Sequence, residues 1–371
     1  MLTKRYLFIF LGLLLLVGLA ACDDELNENL AYDDECLNDP DCDLVYEDDF
    51  CDEYDEDCEE AGFWDDTYYE TAEDCYEDEV YDPVDQLCYV EWEDEEDCPD
   101  DECGEVWGVL GDLLGSSFAD ADFDEFGENA IITYDVRNNE LTNPQLGEVT
   151  ADLESFQADE AKHREIWARF TQLIPAAQRA QIVQFSIFTD GPEEVMAAVN
   201  PVAEGDLSRW ALAVDIQDAA DDKELTYSLI HEFAHVLTLN NRQVDTAVSP
   251  SACTDYFPGE GCALSTSYID AFHDRFWVQV FDEMGVNDET ELDESDMEDF
   301  YYDHEDWFVT DYAATNPGED IAESFTAFIL QPKPTEDTLA AEKILFFYDY
   351  PELVALRKDL ASRAYSRLRR N

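Results

Sequence analysis

The stretch LIHEFAHVL, residues 229–237, places two histidines four positions apart with a glutamate beside the first. Residues four apart in an α-helix are separated by about 40° around its axis. His231 and His235 therefore project from one face and can share a metal ion. Glu232 sits next to them, within reach of a water on that metal. This is the H-E-x-x-H arrangement of two zinc ligands and a general base. Zinc lowers the pKa of water to about 7 and polarises a substrate carbonyl. Glu232 would take the proton from that water and pass it to a leaving amine. The flanking residues are apolar, so three ionisable groups here carry a desolvation cost that a metal relieves. The competing reading is two core histidines with ordinary hydrogen bonds.

A hydrolytic zinc site usually has three protein ligands. Among the other histidines, His163 lies in an amphipathic stretch, AKHRE, and reads as a surface residue. His273 and His304 lack the short spacing of the metzincin pattern, which would want Gly at Thr238 and His at Asn241. A better source is DYAATNPGEDIAESFTAF, residues 311–328. Asn316-Pro317 can start a helix, with Pro in its first turn. Glu319 and Glu323 then share one face. One would bind the metal, and the other would accept a hydrogen bond from a ligand histidine. A glutamate from a separate helix as third ligand is the gluzincin solution.

The pieces HEFAH at 231–235 and NPGEDIAESF at 316–325 resemble the catalytic domain of anthrax lethal factor and related bacterial gluzincins. That resemblance implies a zincin-like metallopeptidase domain over residues 129–371, a Zn2+ cofactor and a protein or peptide substrate. It implies Glu319 as the metal ligand and Glu323 as the supporting carboxylate. Tyr312, seven residues before Glu319, would stabilise the oxyanion of the tetrahedral intermediate. No N-terminal feature resembles the toxin's other domains, so a toxin role is not implied.

The elements that must hold these residues can be read around them. AIITYDV, QIVQFSIF and RWALAVDI read as strands. TADLESFQADEAKHREIWARFTQLI reads as one long amphipathic helix with Thr150 as its cap. KELTYSLIHEFAHVLTLN is apolar on nearly all sides and should be a buried helix. Helices follow through SYIDAFHDRFWVQVFDEMG, NPGEDIAESFTAFIL and the C-terminal stretch. The basic end of that stretch suits a helix C-terminus and asks for no binding role. Strands and a helix first, then mostly helices, predict an α+β fold with the key helix under a small sheet.

The chain has 371 residues and a formal net charge of −74, with 93 acidic residues against 19 Lys+Arg. That balance argues against nucleic acid as a partner, because phosphate binding needs Lys and Arg. Lys4 and Arg5 precede an apolar run from Leu7 to Val17, too short to span a bilayer comfortably, so residues 1–21 read as an export signal. LAAC at Leu19–Cys22 resembles the lipobox of bacterial lipoproteins, which implies lipidation at Cys22 and anchoring to a membrane. Ten cysteines follow, an even number that fits an oxidising compartment. Cys253 and Cys262 are placed to staple one loop. Residues 22–105 are dominated by Asp, Glu, Tyr and Cys and read as a disulfide-held acidic stalk; a Ca2+-binding module is the alternative. Residues 106–128 read as a linker. The leading function is an exported, lipid-anchored zinc metallopeptidase. The alternative is a non-catalytic surface binding or adhesion lipoprotein with a structural metal site and a calcium- or partner-binding stalk.

Overall fold

In this computed structural model the described residues are 72, 75–76, 78–90, 100–111, 113, 130–191, 195–286 and 294–369. The chain divides into residues 1–64 and 65–371, and every described residue belongs to the second part. The expected export signal, Cys22 and most of the expected stalk and linker lie outside the described residues.

The fold is α+β. Its first described elements are a short antiparallel hairpin, β1 (Val80–Asp82) and β2 (Leu87–Tyr89), and a helix, α1 (Asp100–Gly111). A five-stranded sheet follows, built from β3 (Ile132–Arg137), β4 (Glu140–Leu146), β5 (Ile182–Phe188), β6 (Ala197–Pro201) and β7 (Trp210–Asp215). Its order is β4-β3-β5-β7-β6. Only β5 and β7 run parallel; the other neighbours are antiparallel. In β3, Ile132 and Tyr134 are buried while Thr133 and Asp135 are half-buried, the two-residue alternation of a strand with one core face. Interior strand β7 is buried over nearly its whole length, as a strand covered on both faces must be.

Two helices, α2 (Glu154–Ala158) and α3 (Glu160–Leu173), connect β4 to β5. The sequence predicts one helix here, capped by Thr150. Instead the chain breaks at Asp159 (φ −82°, ψ 68°), whose side chain accepts from the Lys162 amide and caps α3. The break positions His163, which the sequence places at the surface. His163 is fully buried. Its Nε2 donates to the Phe156 carbonyl and its Nδ1 accepts from the Tyr134 hydroxyl, both at 2.8 Å. The ring is a neutral core member, and burial holds its pKa below the usual value.

After β7 comes the central helix α4 (Asp222–Leu239), which packs against β6. A small hairpin, β8 (Val244–Asp245) with β9 (Cys262–Ala263), is closed by the Cys253–Cys262 disulfide. Helix α5 (Tyr268–Phe272) runs through a π turn (His273–Trp277) into α6 (Val278–Met284), which ends at Gly285 in the left-handed conformation. Then come α7 (Glu294–Asp303), α8 (Pro317–Leu330), α9 (Leu339–Phe346) and α10 (Pro351–Leu368). No helix among the described residues is long and apolar enough to cross a membrane.

Where the sequence predicts a solvated stalk or a small module, the described residues between 72 and 90 form a hairpin that pairs with the rest of the fold. Helix α1 crosses the expected stalk–linker boundary, and Val106, Leu110 and Leu113, in the expected linker, belong to the main core. The hairpin is tied by Cys75–Cys88 and docked by arginines. Asp85, only 5 % exposed, bridges Arg179 (2.7 Å) and Arg363 (2.9 Å). Arg363 also meets Asp82 at 2.8 Å, and Arg369 meets Asp78 at 2.9 Å and Glu79 at 2.6 Å. The basic end of α10 thus gathers distant carboxylates. Arg367 reaches Asp222, at the start of α4, at 2.8 Å.

Candidate metal centre

Two capped helices build the site. Asp221 accepts from the amides of Lys223 (2.9 Å) and Glu224 (3.0 Å) and opens α4. Every residue from Leu225 to Val236 is buried, so His231, Glu232 and His235 lie deep in the molecule. Asn316 accepts from the amides of Gly318 (2.9 Å) and Glu319 (3.1 Å), with Pro317 in the first turn. Asn-Pro-Gly-Glu has the spacing of a capping box, in which the glutamate would turn back to the cap amide. Glu319 sends Oε2 elsewhere, towards α4.

There it meets both histidines. Oε2 of Glu319 lies 3.0 Å from Nε2 of His231 and 3.2 Å from Nε2 of His235. The two Nε2 atoms are 3.0 Å apart. Donors around a tetrahedral zinc with bonds of about 2.0–2.1 Å are separated by about 3.3 Å, so the triangle closely approaches that size. Donor atoms of His231, Glu232 and His235 also lie within 4.8 Å of one another. Three features fit a metal: two imidazole nitrogens converge, a carboxylate oxygen joins them, and Oε2 of Glu232 is buried with no hydrogen-bond partner among the described residues. By geometry Glu319 completes the triangle, while Glu232 stands beside it with one carboxylate oxygen unengaged.

Glu323 lies one turn after Glu319, wholly buried. Its Oε1 accepts from Nδ1 of His231 at 2.7 Å. Its Oε2 accepts from the Tyr227 hydroxyl at 2.8 Å and the Thr310 hydroxyl at 2.6 Å. With Nδ1 engaged, Nε2 of His231 is the atom turned to Glu319 and His235. Tyr312, in a 3-10 turn just before α8, has its ring 5.9 Å from that of His231.

The electrostatics follow from burial and charge. Burial opposes a charge on His231, yet the hydrogen bonds and charges of Glu319 and Glu323 outweigh it and hold the ring's pKa at about 10. Burial also opposes ionisation of Glu319, but His235 and His231 hold its carboxyl well below the usual range. Burial pushes Glu232 up to about 6, against the pull of His235 and His231 and a backbone hydrogen bond from Val199 of β6.

The structure therefore brings together His231, Glu232, His235, Glu319, Glu323 and Tyr312. It keeps His273 and His304 apart from them: His273 stacks on Tyr256 at 4.3 Å, and His304 bonds the Phe300 carbonyl. Cys253 and Cys262 form the expected disulfide. Two contributors escape the sequence reading. Tyr227 stands four residues before His231 on the same helix face, a legible signal. Thr310 carries no such mark.

No family model, curated protein or solved structure matches the chain. What defines the class of site is its own donor set: a buried two-histidine, one-carboxylate cluster with a second carboxylate alongside.

Proposed function

We propose that the chain is an exported zinc-dependent metallopeptidase of the gluzincin kind, with a zincin-like catalytic domain. The observation that carries this reading is the 3.0–3.2 Å triangle of His231, His235 and Glu319 donors, with the buried Oε2 of Glu232, which has no hydrogen-bond partner among the described residues, beside it. His231, His235 and Glu319 would hold the ion. Zinc, when bound, supplies Lewis-acid polarisation of a carbonyl and acidification of water. Glu232 accepts a proton from the attacking water and returns it to the departing amine, the role of a general base then acid. Glu323 fixes the His231 ring, and Tyr227 and Thr310 fix Glu323. The Tyr312 hydroxyl serves the developing oxyanion.

The two disulfides among the described residues indicate an oxidising compartment, in keeping with export. Anchoring through an acylated Cys22 belongs to this proposal, and intact-mass analysis of the membrane-extracted protein tests it. For the activity, the test is metal content of the purified chain followed by a peptide-library digest, with Glu232→Gln as control. Stoichiometric zinc and cleavage that vanishes in the control support the reading. Zinc without cleavage would make the site structural and favour a binding lipoprotein.

A further inference from the structure

Another side of α8 holds a second buried polar cluster that the proposed chemistry does not use. Asp320 follows Glu319 directly, so the two side chains leave the helix about 100° apart. Glu319 turns to α4. Asp320 turns to α9 and the π turn. Its Oδ2 lies 2.5 Å from Nζ of Lys343 and accepts from the Trp277 indole nitrogen at 2.8 Å; its Oδ1 accepts from the Ser324 hydroxyl at 3.3 Å. Asp320 and Lys343 are both completely buried. The Lys343 ammonium also sits 3.8 Å from the centre of the Phe308 ring.

A buried ion pair is a weak source of stability, because an apolar pair of the same volume often does as well or better. In some proteins such a pair instead fixes one arrangement, since a buried charge that slips off its partner is left uncompensated. Here the arrangement concerns the helix that carries Glu319. Any rotation of α8 that swings Glu319 away from His231 and His235 also pulls Asp320 off Lys343 and Trp277. The π turn adds to this, because its extra residue per turn sets the direction in which Trp277 points.

We infer that Asp320, Lys343 and Trp277 are positioning residues that lock the rotation of α8 and thereby aim the Glu319 carboxylate at the two histidines. This rests on the metal-site reading above. It assigns α9 and the π turn a part in metal affinity although neither supplies a donor to the triangle.

The test uses the full chain, two variants of the cluster and one comparison variant. The double variant Asp320→Leu/Lys343→Met replaces the pair by apolar groups, and Asp320→Asn keeps the shape while removing the charge. Zinc affinity is measured by chelator competition, and the ligand field by visible absorption of the cobalt-substituted protein. Leu360→Ala, a cavity in α10, serves as a comparison with lowered melting temperature. The inference expects zinc affinity to fall tenfold or more in the double variant and threefold or more in Asp320→Asn. The cobalt bands should shift in both, while Leu360→Ala loses thermal stability with zinc affinity unchanged. Wild-type affinity within twofold and unchanged cobalt bands in Asp320→Asn would overturn it, whether or not the double variant folds. A wild-type chain that binds no zinc overturns the metal-site reading itself, and is told apart by the wild-type titration alone.

Discussion

Nδ1 of His231 donates to Oε1 of Glu323 at 2.7 Å, which leaves Nε2 of the same ring for the triangle with His235 and Glu319. The two glutamates of α8 therefore have separable jobs. Glu319→Ala removes a donor from the triangle and should abolish stoichiometric zinc. Glu323→Ala removes only the support behind His231 and should weaken affinity by about 10–100-fold, the usual cost of losing such a partner. Zinc analysis after dialysis and chelator competition measure both. The opposite ranking would make Glu323 the ligand.

Proton linkage gives a second prediction. In the metal-free protein the His231 pKa is raised to about 10, so the ring is charged at neutral pH. Metal binding needs a neutral ring and must expel that proton. Apparent zinc affinity should therefore rise about tenfold per pH unit from pH 7 to 9, with about one proton released per zinc on this account. Calorimetry in buffers of different ionisation enthalpy counts that proton. The sign for stability is the reverse. A raised folded pKa contributes stability that is complete below the unfolded value of about 6.5 and fades as pH climbs through about 10. Metal-free protein should lose stability across that window; a flat thermal-melt profile there would remove the charged ring from the account.

How much of this was legible depended on where the deciding contacts lie. Helix α4 was readable because its apolar residues run round the whole surface. The start of α8 was readable because Asn316-Pro317 is a local signal. Strands β4 and β6 carry no strong signal of their own: ELTNPQL has a proline and an asparagine, and AAVNP has two alanines, so pairing in the sheet decides them. The break at Asp159 was invisible for a similar reason. The helical period runs straight through it, and the Tyr134–His163 contact that it serves joins residues 29 apart. The acidic segment has the composition of a solvated chain, while the arginines that bury Asp85 stand 94 and 278 positions away. In the site, residue types and local spacing exposed His231, Glu232 and His235 at once. Glu319, 88 positions from His231, needed a second motif to be found.

Glu232 carries the third prediction. Burial raises its carboxyl to about 6, and the group must be ionised to accept a proton. Activity should thus be lost on the acid side as the Glu232 carboxylate takes up a proton, giving kcat/KM an acid limb that is absent from Glu232→Gln. Glu232→Gln should keep zinc and lose about 10²–10⁴-fold in kcat, the range for removal of a general base. Tyr312→Phe should keep zinc as well and lose less than Glu232→Gln, with the deficit in kcat rather than KM, because its hydroxyl would act only on developing charge. Steady-state kinetics on one cleaved peptide separate these outcomes. A Tyr312→Phe enzyme with normal kcat would take the phenol out of the mechanism.

The last prediction concerns the hairpin. Asp85 is the shared acceptor of two arginines, and all three groups are buried, so Asp85→Asn leaves Arg179 without its counter-charge and takes from Arg363 one of its three, the others being Asp82 and Asp359. Breaking one partner out of a buried ionic cluster typically costs about 3–5 kcal/mol. The damage should extend beyond the hairpin. Arg363 lies on α10, and the same helix holds Asp222 at the head of α4 through Arg367. Denaturant unfolding should show a loss of that size in one cooperative transition, with a matching loss for Arg363→Met. Melting of residues 78–90 alone, with the zinc-bearing part unchanged, would mean that the acidic segment is an appendage after all. A common transition would mean that the few cations of this very acidic chain are spent on joining its N-terminal carboxylates to the helices that carry the metal site.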